Sequence, residues 1–251
     1  MALIDSFLRP AVLAMTTTLV SSLPASGALL AFYDFNGDAN DRSGNAIHPT
    51  TINNVTQVTG YQGQAYEFNG SNSYIRIPLN INASNHPTLT MGAWVKSDIN
   101  ATGKQVISND NGGFDRTIGI DNRGGGLGWS AFTGTGMVLG YEPVSTGVWT
   151  FIAVTYDQAN ATATLYVNGE SFTEAATLTD GNTFTRIGSN PGFGEYFDGV
   201  IDNVFFFDEV LSSTRIEQIR LNGASAIPET STGALAFSCL ALATLRRRRR
   251  S

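Results

Sequence analysis

The run Phe197-Asp198-Gly199-Val200-Ile201-Asp202-Asn203-Val204-Phe205-Phe206-Phe207 constrains the fold more than any other segment of the chain. Val200, Asn203-Val204 and the three phenylalanines fit a strand buried on a sheet. Asp202 places a charge inside that strand. A carboxylate there is costly unless it has a partner or a metal. Leu211-Ser212 follows, and then a stretch at 212–221 in which Ile216 and Ile219 are apolar among polar neighbours. Ser212 is suited to be the N-cap of a short helix there.

The two ends differ from the body between them. Residues 1–28 hold Arg9, an apolar run from Pro10 to Leu23, and the small residues Ser26-Gly27-Ala28. A basic start, an apolar centre and small residues before a cleavage point describe a secretory signal peptide, cut after Ala28. Pro24 and the switch to strand-like Leu29-Leu30-Ala31-Phe32-Tyr33 argue against a buried N-terminal helix. At the other end, residues 227–251 run Ile227-Pro228-Glu229-Thr230, then apolar from Gly233 to Leu245, then Arg246 to Arg250. Consecutive arginines do not cross hydrocarbon and hold that end in the cytoplasm. The apolar run is short for a full span, which takes ~17–25 residues. This tripartite order resembles the PEP-CTERM sorting signal of Gram-negative bacteria, with Thr230 where the family usually has proline. The resemblance implies an exosortase that reads Pro228 and Glu229, transient contact with the inner membrane, and delivery to the cell surface, outer membrane or extracellular matrix; the other reading of this tail is a permanent single-pass anchor.

Residues 29–226 remain as one body. It carries nine basic and nineteen acidic residues, a balance that argues against nucleic acid or anionic lipid as partner. The only cysteine is Cys239, in the C-terminal apolar run, so the body has no disulfide and no thiol chemistry. Abundant Gly, Asn, Thr and Ser favour many short strands joined by turns. Strands are expected at 29–35, 65–69, 74–77, 89–97, 105–108, 117–121, 126–132, 149–156, 162–167, 183–187 and 196–207. Gly70-Ser71-Asn72 reads as the turn of a hairpin between 65–69 and 74–77. A second hairpin is expected from 149–156 and 162–167.

Several of these pieces resemble the laminin-G-like, concanavalin-A-like domains. Phe32-Tyr33-Asp34-Phe35 with Asp41 and Ser43-Gly44 is similar to the opening strand and loop of that family. Gly63-Gln64-Ala65-Tyr66-Glu67-Phe68-Asn69-Gly70, Leu89-Thr90-Met91-Gly92-Ala93-Trp94-Val95-Lys96, Gly147-Val148-Trp149 through Tyr156-Asp157, and Leu165-Tyr166-Val167-Asn168-Gly169 resemble its inner motifs, with Asn69 and Asn168 for the usual aspartates. The segment from Phe197 to Phe207 resembles its closing strand. The fold implied is all-β, a two-sheet antiparallel jelly-roll sandwich, with helices only in the terminal segments and after the closing strand.

The resemblance also implies a structural calcium between the opening and closing strands, with Asp34 and Asp202 as side-chain ligands and the carbonyl of Gly70 as a third. Oxygen donors suit Ca²⁺. The other reading of Asp202 is a pair with arginine or backbone amides. Glycosidases need two carboxylates, one as acid and one as nucleophile or base. The sequence has no strand with carboxylates on one face in the order the glucanases of this fold use. Glu195 and Asp198 fall on opposite faces of a strand, and His48 and His86 lie beside prolines. The chain is therefore expected not to be an enzyme. Trp94 and Trp149 match core positions. Trp129, which follows three glycines and matches no core motif, is with Tyr141, Phe193 and Tyr196 a candidate for stacking on sugar rings, Asn109 and Asn111 supplying hydrogen bonds; the other reading is that these rings pack under loops. The function expected is recognition of a glycan or a cell-surface or matrix partner. The alternatives are a structural matrix or adhesion component that binds protein, and a glycoside hydrolase of the same fold.

Overall fold

The computed structural model describes residues 28–223, apart from 135 and 137. The expected signal segment up to residue 27 and the segment 227–251, with Pro228 and Glu229, lie outside the described residues. The chain runs β1 (Leu29–Tyr33), β2 (Thr51–Asn53), β3 (Thr56–Thr59), β4 (Gln64–Asn69) and β5 (Tyr74–Ile77). It continues through β6 (Thr88–Ser97), β7 (Lys104–Ser108), β8 (Thr117–Asp121), β9 (Gly128–Phe132) and β10 (Val138–Glu142). It ends with β11 (Trp149–Asp157), β12 (Thr162–Val167), β13 (Glu170–Ala175), β14 (Thr185–Ile187), β15 (Asp198–Phe207) and α1 (Ser213–Asn222).

The strands form two antiparallel sheets. The eight-stranded sheet has the order β13-β12-β11-β6-β15-β4-β3, with β1 also on β15, and the seven-stranded sheet has the order β10-β9-β8-β7-β14-β5-β2. This is the jelly-roll sandwich expected. The core between the sheets holds Tyr33, Phe68, Ile75, Val95, Ile118, Trp129, Val154 and Phe206, all fully or nearly fully buried. Each such side chain contributes roughly 1.5–3 kcal/mol by leaving water.

A second apolar cluster lies on the other face of the eight-stranded sheet. It joins Phe32, Trp94, Phe151, Phe205 and Phe207 to Ile216 and Ile219 of α1. Ser212 caps that helix, its side chain accepting from the N–H of Arg215. The helix thus covers the outer face of one sheet. Its buried residues, Ile216 and Ile219, do not enter the core between the sheets.

One expected hairpin forms and one does not. β11 and β12 pair directly. β4 and β5 do not pair: β4 joins β3 and β15, whereas β5 joins β2 and β14. The segment Gly70-Ser71-Asn72 is a corner between the two sheets. The cause is Asn69, whose Oδ1 accepts from the N–H groups of Ser71, Asn72 and Ser73 at 3.0–3.2 Å. This wraps the chain around one side chain rather than folding it back on itself.

Candidate functional site

Two strands share one edge of β15. β4 pairs with it as far as Ile201, and β1 takes over at Val204. Asp202 and Asn203 fall in the gap, paired with neither. On the opposite edge the register with β6 shifts between Asp202 and Phe205. Asn203 has a φ of 50°, a conformation that costs a non-glycine residue on the order of 1–2 kcal/mol. The inserted residue is a β-bulge, and it reverses the alternation. Ile201, Val204 and Phe206 face the inter-sheet core, while Phe205 and Phe207 turn to α1.

The gap is closed by the loop between β3 and β4. Tyr61 stacks on Trp94, with ring centroids 3.6 Å apart and 12° between planes. The N–H of the next residue, Gln62, donates to Asp202 Oδ2 at 3.0 Å. Asp202 also accepts from its neighbour Asn203 at 2.7 Å and from the backbone of Tyr61. Its burial outweighs these hydrogen bonds and pushes the carboxyl up to about 6, with the charge of Asp34 adding in the same direction. Gly60 fits because a Cβ there would lie 2.6 Å from Asp202 Oδ2.

Asp34 follows the end of β1. Its Oδ1 accepts from the N–H of Asn36 and from Arg42 Nε, each at 3.1 Å. Phe35, next in sequence, has a φ of 54°. Asn203 Oδ1 is buried without a hydrogen-bond partner. The notch therefore gathers two carboxylates that repel each other, one orphaned amide oxygen and two strained residues. Such strain is retained where the surroundings enforce it, and the donor set is all oxygen.

Among the described residues no group of three or more His, Cys, Asp or Glu is placed to hold a metal. An ion at this notch would draw its remaining ligands from amide and carbonyl oxygens, which is the habit of Ca²⁺.

Gly70 does not belong to this notch. In the antiparallel pair, Asn69 stands opposite Asp198, so Gly70 lies at the far end of β4 from Asp202. Its carbonyl accepts from Lys104 Nζ at 3.3 Å. Of the expected donors, the structure brings Asp34 and Asp202 together and leaves Gly70 out. The backbone amides expected as the other partner of Asp202 are also present.

The outer face of the seven-stranded sheet carries a second polar cluster. Gln105 on β7 is fully buried, and its Nε2 donates to Asp121 Oδ2 at 3.2 Å and to Glu195 Oε2 at 3.3 Å. Arg123 pairs with both carboxylates, reaching Glu195 Oε1 at 2.9 Å. Asn190 links Glu195 to Asp110 at 3.0 and 2.9 Å. The Arg123 guanidinium lies 5.0 Å from the ring centre of Phe132 and 5.4 Å from that of Phe114. Burial alone would raise Asp121. The hydrogen bonds and charge of Arg123 outweigh it and hold the carboxyl below its ordinary range.

These carboxylates come from β8 and from the 188–197 loop, far apart in sequence, so no local pattern signals their meeting. A glycosidase acid needs a raised pKa, and Asp121 is shifted the other way. The histidines lie elsewhere: His86 Nδ1 meets Asp208 at 2.8 Å, and His48 Nδ1 accepts from the N–H of Asp41.

The expected ligand aromatics divide. Trp129 is 1% exposed and packs in the inter-sheet core, so it presents no face to a sugar. It alternates with Gly128 and Ser130 on β9, and the parity of the strand turns it inward. Asn109 is also buried, its Nδ2 bound to Asn82 Oδ1 at 2.7 Å. Tyr141 lies on β10, with its side chain outside the described part of the structure. Tyr196 bridges to the backbones of Gln105 and Ser189 and sets Glu195 toward the cluster. Phe193 is 46% exposed, and its ring lies 3.4 Å from where a Cβ on Gly112 would stand. Asn111 is exposed and donates to the carbonyl of Asp180.

Comparison with known proteins agrees with this architecture. No curated protein matches the chain. Among solved structures, domain 4 of AbnA, an extracellular GH43 arabinanase from Geobacillus stearothermophilus, solved with arabinotriose, superposes with a TM-score of 0.60 at 23% identity over 77% of this chain and 98% of that one. The binding domain of Paraclostridial Mosquitocidal Protein 1 gives 0.61 at 18% identity over 77% of this chain and 52% of that one. The binding domain of botulinum neurotoxin serotype D gives 0.60 at 18% identity over 78% and 52%. The chain thus spans about half the length of the toxin binding domains. Residues 69–217 match the laminin-G family described as the concanavalin A-like lectin/glucanases superfamily, and the chain belongs to that superfamily.

Proposed function

We propose that the chain is an exported, non-catalytic module that recognises a glycan on the outer face of its seven-stranded sheet. The observation that carries this reading is the pairing of exposed Phe193 and half-buried Phe114 with the Arg123, Glu195 and Asn190 cluster on that face. Flat rings stack on the apolar faces of sugars, and fixed charged or amide groups beside them take the hydroxyls. Superfamily membership supports the reading. So does the arabinotriose complex of the AbnA domain, which this chain covers almost completely. The downward shift of Asp121 speaks against a glycosidase acid at this place.

A calcium ion at the notch between Asp34 and Asp202 belongs to the same proposal. Asp202, Asp34 and the orphaned oxygen of Asn203 would hold it. The ion would fix the β3–β4 loop and the ends of β1 and β15. Sorting by an exosortase at Pro228 and Glu229, and delivery to a Gram-negative cell surface or matrix, complete the reading.

A glycan array probed with the protein in calcium tests the binding reading. Saturable binding to one glycan class, weakened about tenfold by Phe193→Ala, is the expected result. A blank array from folded protein overturns it and leaves a structural or protein-binding role. Thermal unfolding tests the ion separately. Calcium is expected to raise the midpoint of the wild type, by RT ln(1 + [L]/Kd) in free energy, and to leave Asp202→Asn unmoved.

A further inference from the structure

On β5 and β14, two arginines stand directly opposite each other. The antiparallel register pairs Arg186 with Arg76. Cross-strand neighbours of this kind are about 5 Å apart at Cβ, and like charges there are unfavourable. Both side chains lie on the outer face of the seven-stranded sheet, since Ile75, Ile77 and Ile187 between them face the core. The Arg76 guanidinium lies 3.7 Å above the ring centre of Phe184, and that of Arg186 lies 4.0 Å above Tyr74. The four side chains thus form a ladder across two strands, ring, cation, cation, ring.

Among the described residues neither guanidinium has an ion pair or a hydrogen-bond acceptor, and Arg186 Nε is buried with no partner. The body has nineteen carboxylates to nine basic side chains, yet none reaches this pair. Arg42, Arg123 and Arg220 each have one. Stacking uses the faces of a guanidinium and leaves its edge N–H groups without acceptors; on Arg186 the Nε edge is covered, and the terminal Nη groups are the ones open to a ligand. Those edges match a planar carboxylate or a sulfate bidentately.

We propose that Arg76 and Arg186 form an anion-recognising subsite for the carboxylate or sulfate of an acidic sugar. The inference rests on the glycan-binding reading and names the ligand class. It specifies an isolated acidic residue rather than a dense polyanion, because the net acidity of the body repels the latter. A single bound anion relieves the repulsion between the two arginines and gives acceptors to their exposed terminal N–H groups.

The test titrates the full chain with three oligosaccharides that differ only in their terminal residue: glucuronic acid, a galactose sulfate, and neutral galactose. At least one acidic ligand is expected to bind about tenfold or more tightly than the neutral one, and which of the two does so separates carboxylate from sulfate. Arg76→Gln combined with Arg186→Gln is expected to abolish that preference while leaving neutral-sugar affinity unchanged. The single Arg76→Gln, at an exposed side chain, is expected to lose part of it with the circular dichroism spectrum intact. Binding of the neutral sugar with no acidic preference in the wild type overturns the subsite and leaves the glycan reading standing. An acidic preference that survives in the double variant also overturns the subsite. Binding of none of the three overturns both.

Discussion

Asp202 and Asp121 are both fully buried aspartates on strands of this sandwich, and they are shifted in opposite directions. Asp202 is pushed up to about 6, although three backbone N–H groups point at it. Asp121 is held below its ordinary range. The difference is a cation. Arg123 lies on Asp121, whereas among the described residues no cation pairs with Asp202, and Arg42 at the notch pairs with Asp34 and Asp38 instead. Backbone dipoles alone do not offset the loss of water around a carboxylate here; a full positive charge does. The Asp121 cluster is electrostatically complete and the Asp202 notch is not.

The sharpest way to break this comparison is pH. For Asp202 the folded pKa of about 6 lies above the unfolded value near 3.8. The folded state therefore binds more protons between these values, and stability falls as pH rises through that window. A shift of about two units corresponds to roughly 3 kcal/mol. Urea unfolding in a chelator from pH 4 to 7 is expected to show that loss in the wild type relative to Asp202→Asn, with calcium removing it. Asp121 has the opposite sign. Its depressed pKa contributes stability above the unfolded value that is lost as pH falls through the folded one. Equal slopes for wild type and Asp202→Asn, with and without calcium, would contradict the assignment.

Removing the cation from the complete cluster should make it resemble the incomplete one. Arg123→Met leaves Asp121 buried beside Glu195 with no counter-charge. Breaking a buried pair costs about 3–5 kcal/mol. Arg123 is more than a third exposed, so solvent screening brings the expected loss to about 2–3 kcal/mol. Chemical denaturation at pH 7 measures it, and a loss under 1 kcal/mol would mean that Asp121 does not depend on Arg123.

The two clusters also differ in how far they could be read from sequence. The strand around Asp202 announced itself, because a single aspartate interrupted a run of apolar residues. Its partner Asp34 followed from the resemblance of the opening strand. The bulge at Asn203 and the loop that closes on it gave no local signal. Their reason lies in how β1 and β4 divide one edge of β15. Asp121 and Glu195 meet only through the pairing of β7 with β8 and the return of the 188–197 loop, and nothing in the sequence near either one points to the other. The same limit applies to Arg76 and Arg186, joined by register alone. Among the strands, β6, β11, β12 and β15 were legible because both faces are apolar or alternate cleanly. Edge strand β13 alternates exposed and half-buried residues, and β3 is four residues of Thr, Gln and Val; neither carries an apolar pattern that would place it among the expected strands. Trp129 was misread because its glycine-rich surroundings suggested exposure, whereas they let neighbouring strands approach. At Gly128, for example, a Cβ would stand 2.4 Å from the carbonyl oxygen of Glu142 on β10.

A smaller effect separates a glycine kept for the notch from one kept for a turn. Gly60→Ala would bring a Cβ within 2.6 Å of Asp202 Oδ2 and 2.8 Å of the Gln64 backbone. Overpacking of this kind costs about 1–3 kcal/mol, and the loop would shift away from Asp202. The variant is expected to lose both stability and most of its calcium response. Gly169→Ala, in the β12–β13 turn with open space around it, is expected to change neither. If the two variants unfold alike, the close approach of Gly60 to Asp202 is not what selects glycine there.

The smallest expected effect on stability distinguishes recognition from support on the complete cluster. Phe193 is 46% exposed and rests on Gly112. Its removal should cost no more than about 0.5 kcal/mol, as for surface substitutions in general. Phe132, 1% exposed beneath Arg123, should cost about 3–5 kcal/mol when cut to alanine. Glycan affinity is expected to fall in Phe193→Ala despite its unchanged unfolding midpoint. An aromatic that is thermodynamically idle in the fold yet needed for binding is one held for a ligand. If Phe193→Ala keeps full affinity, the rim of this cluster is structural, and recognition has to be sought along the Arg76 and Arg186 ladder instead.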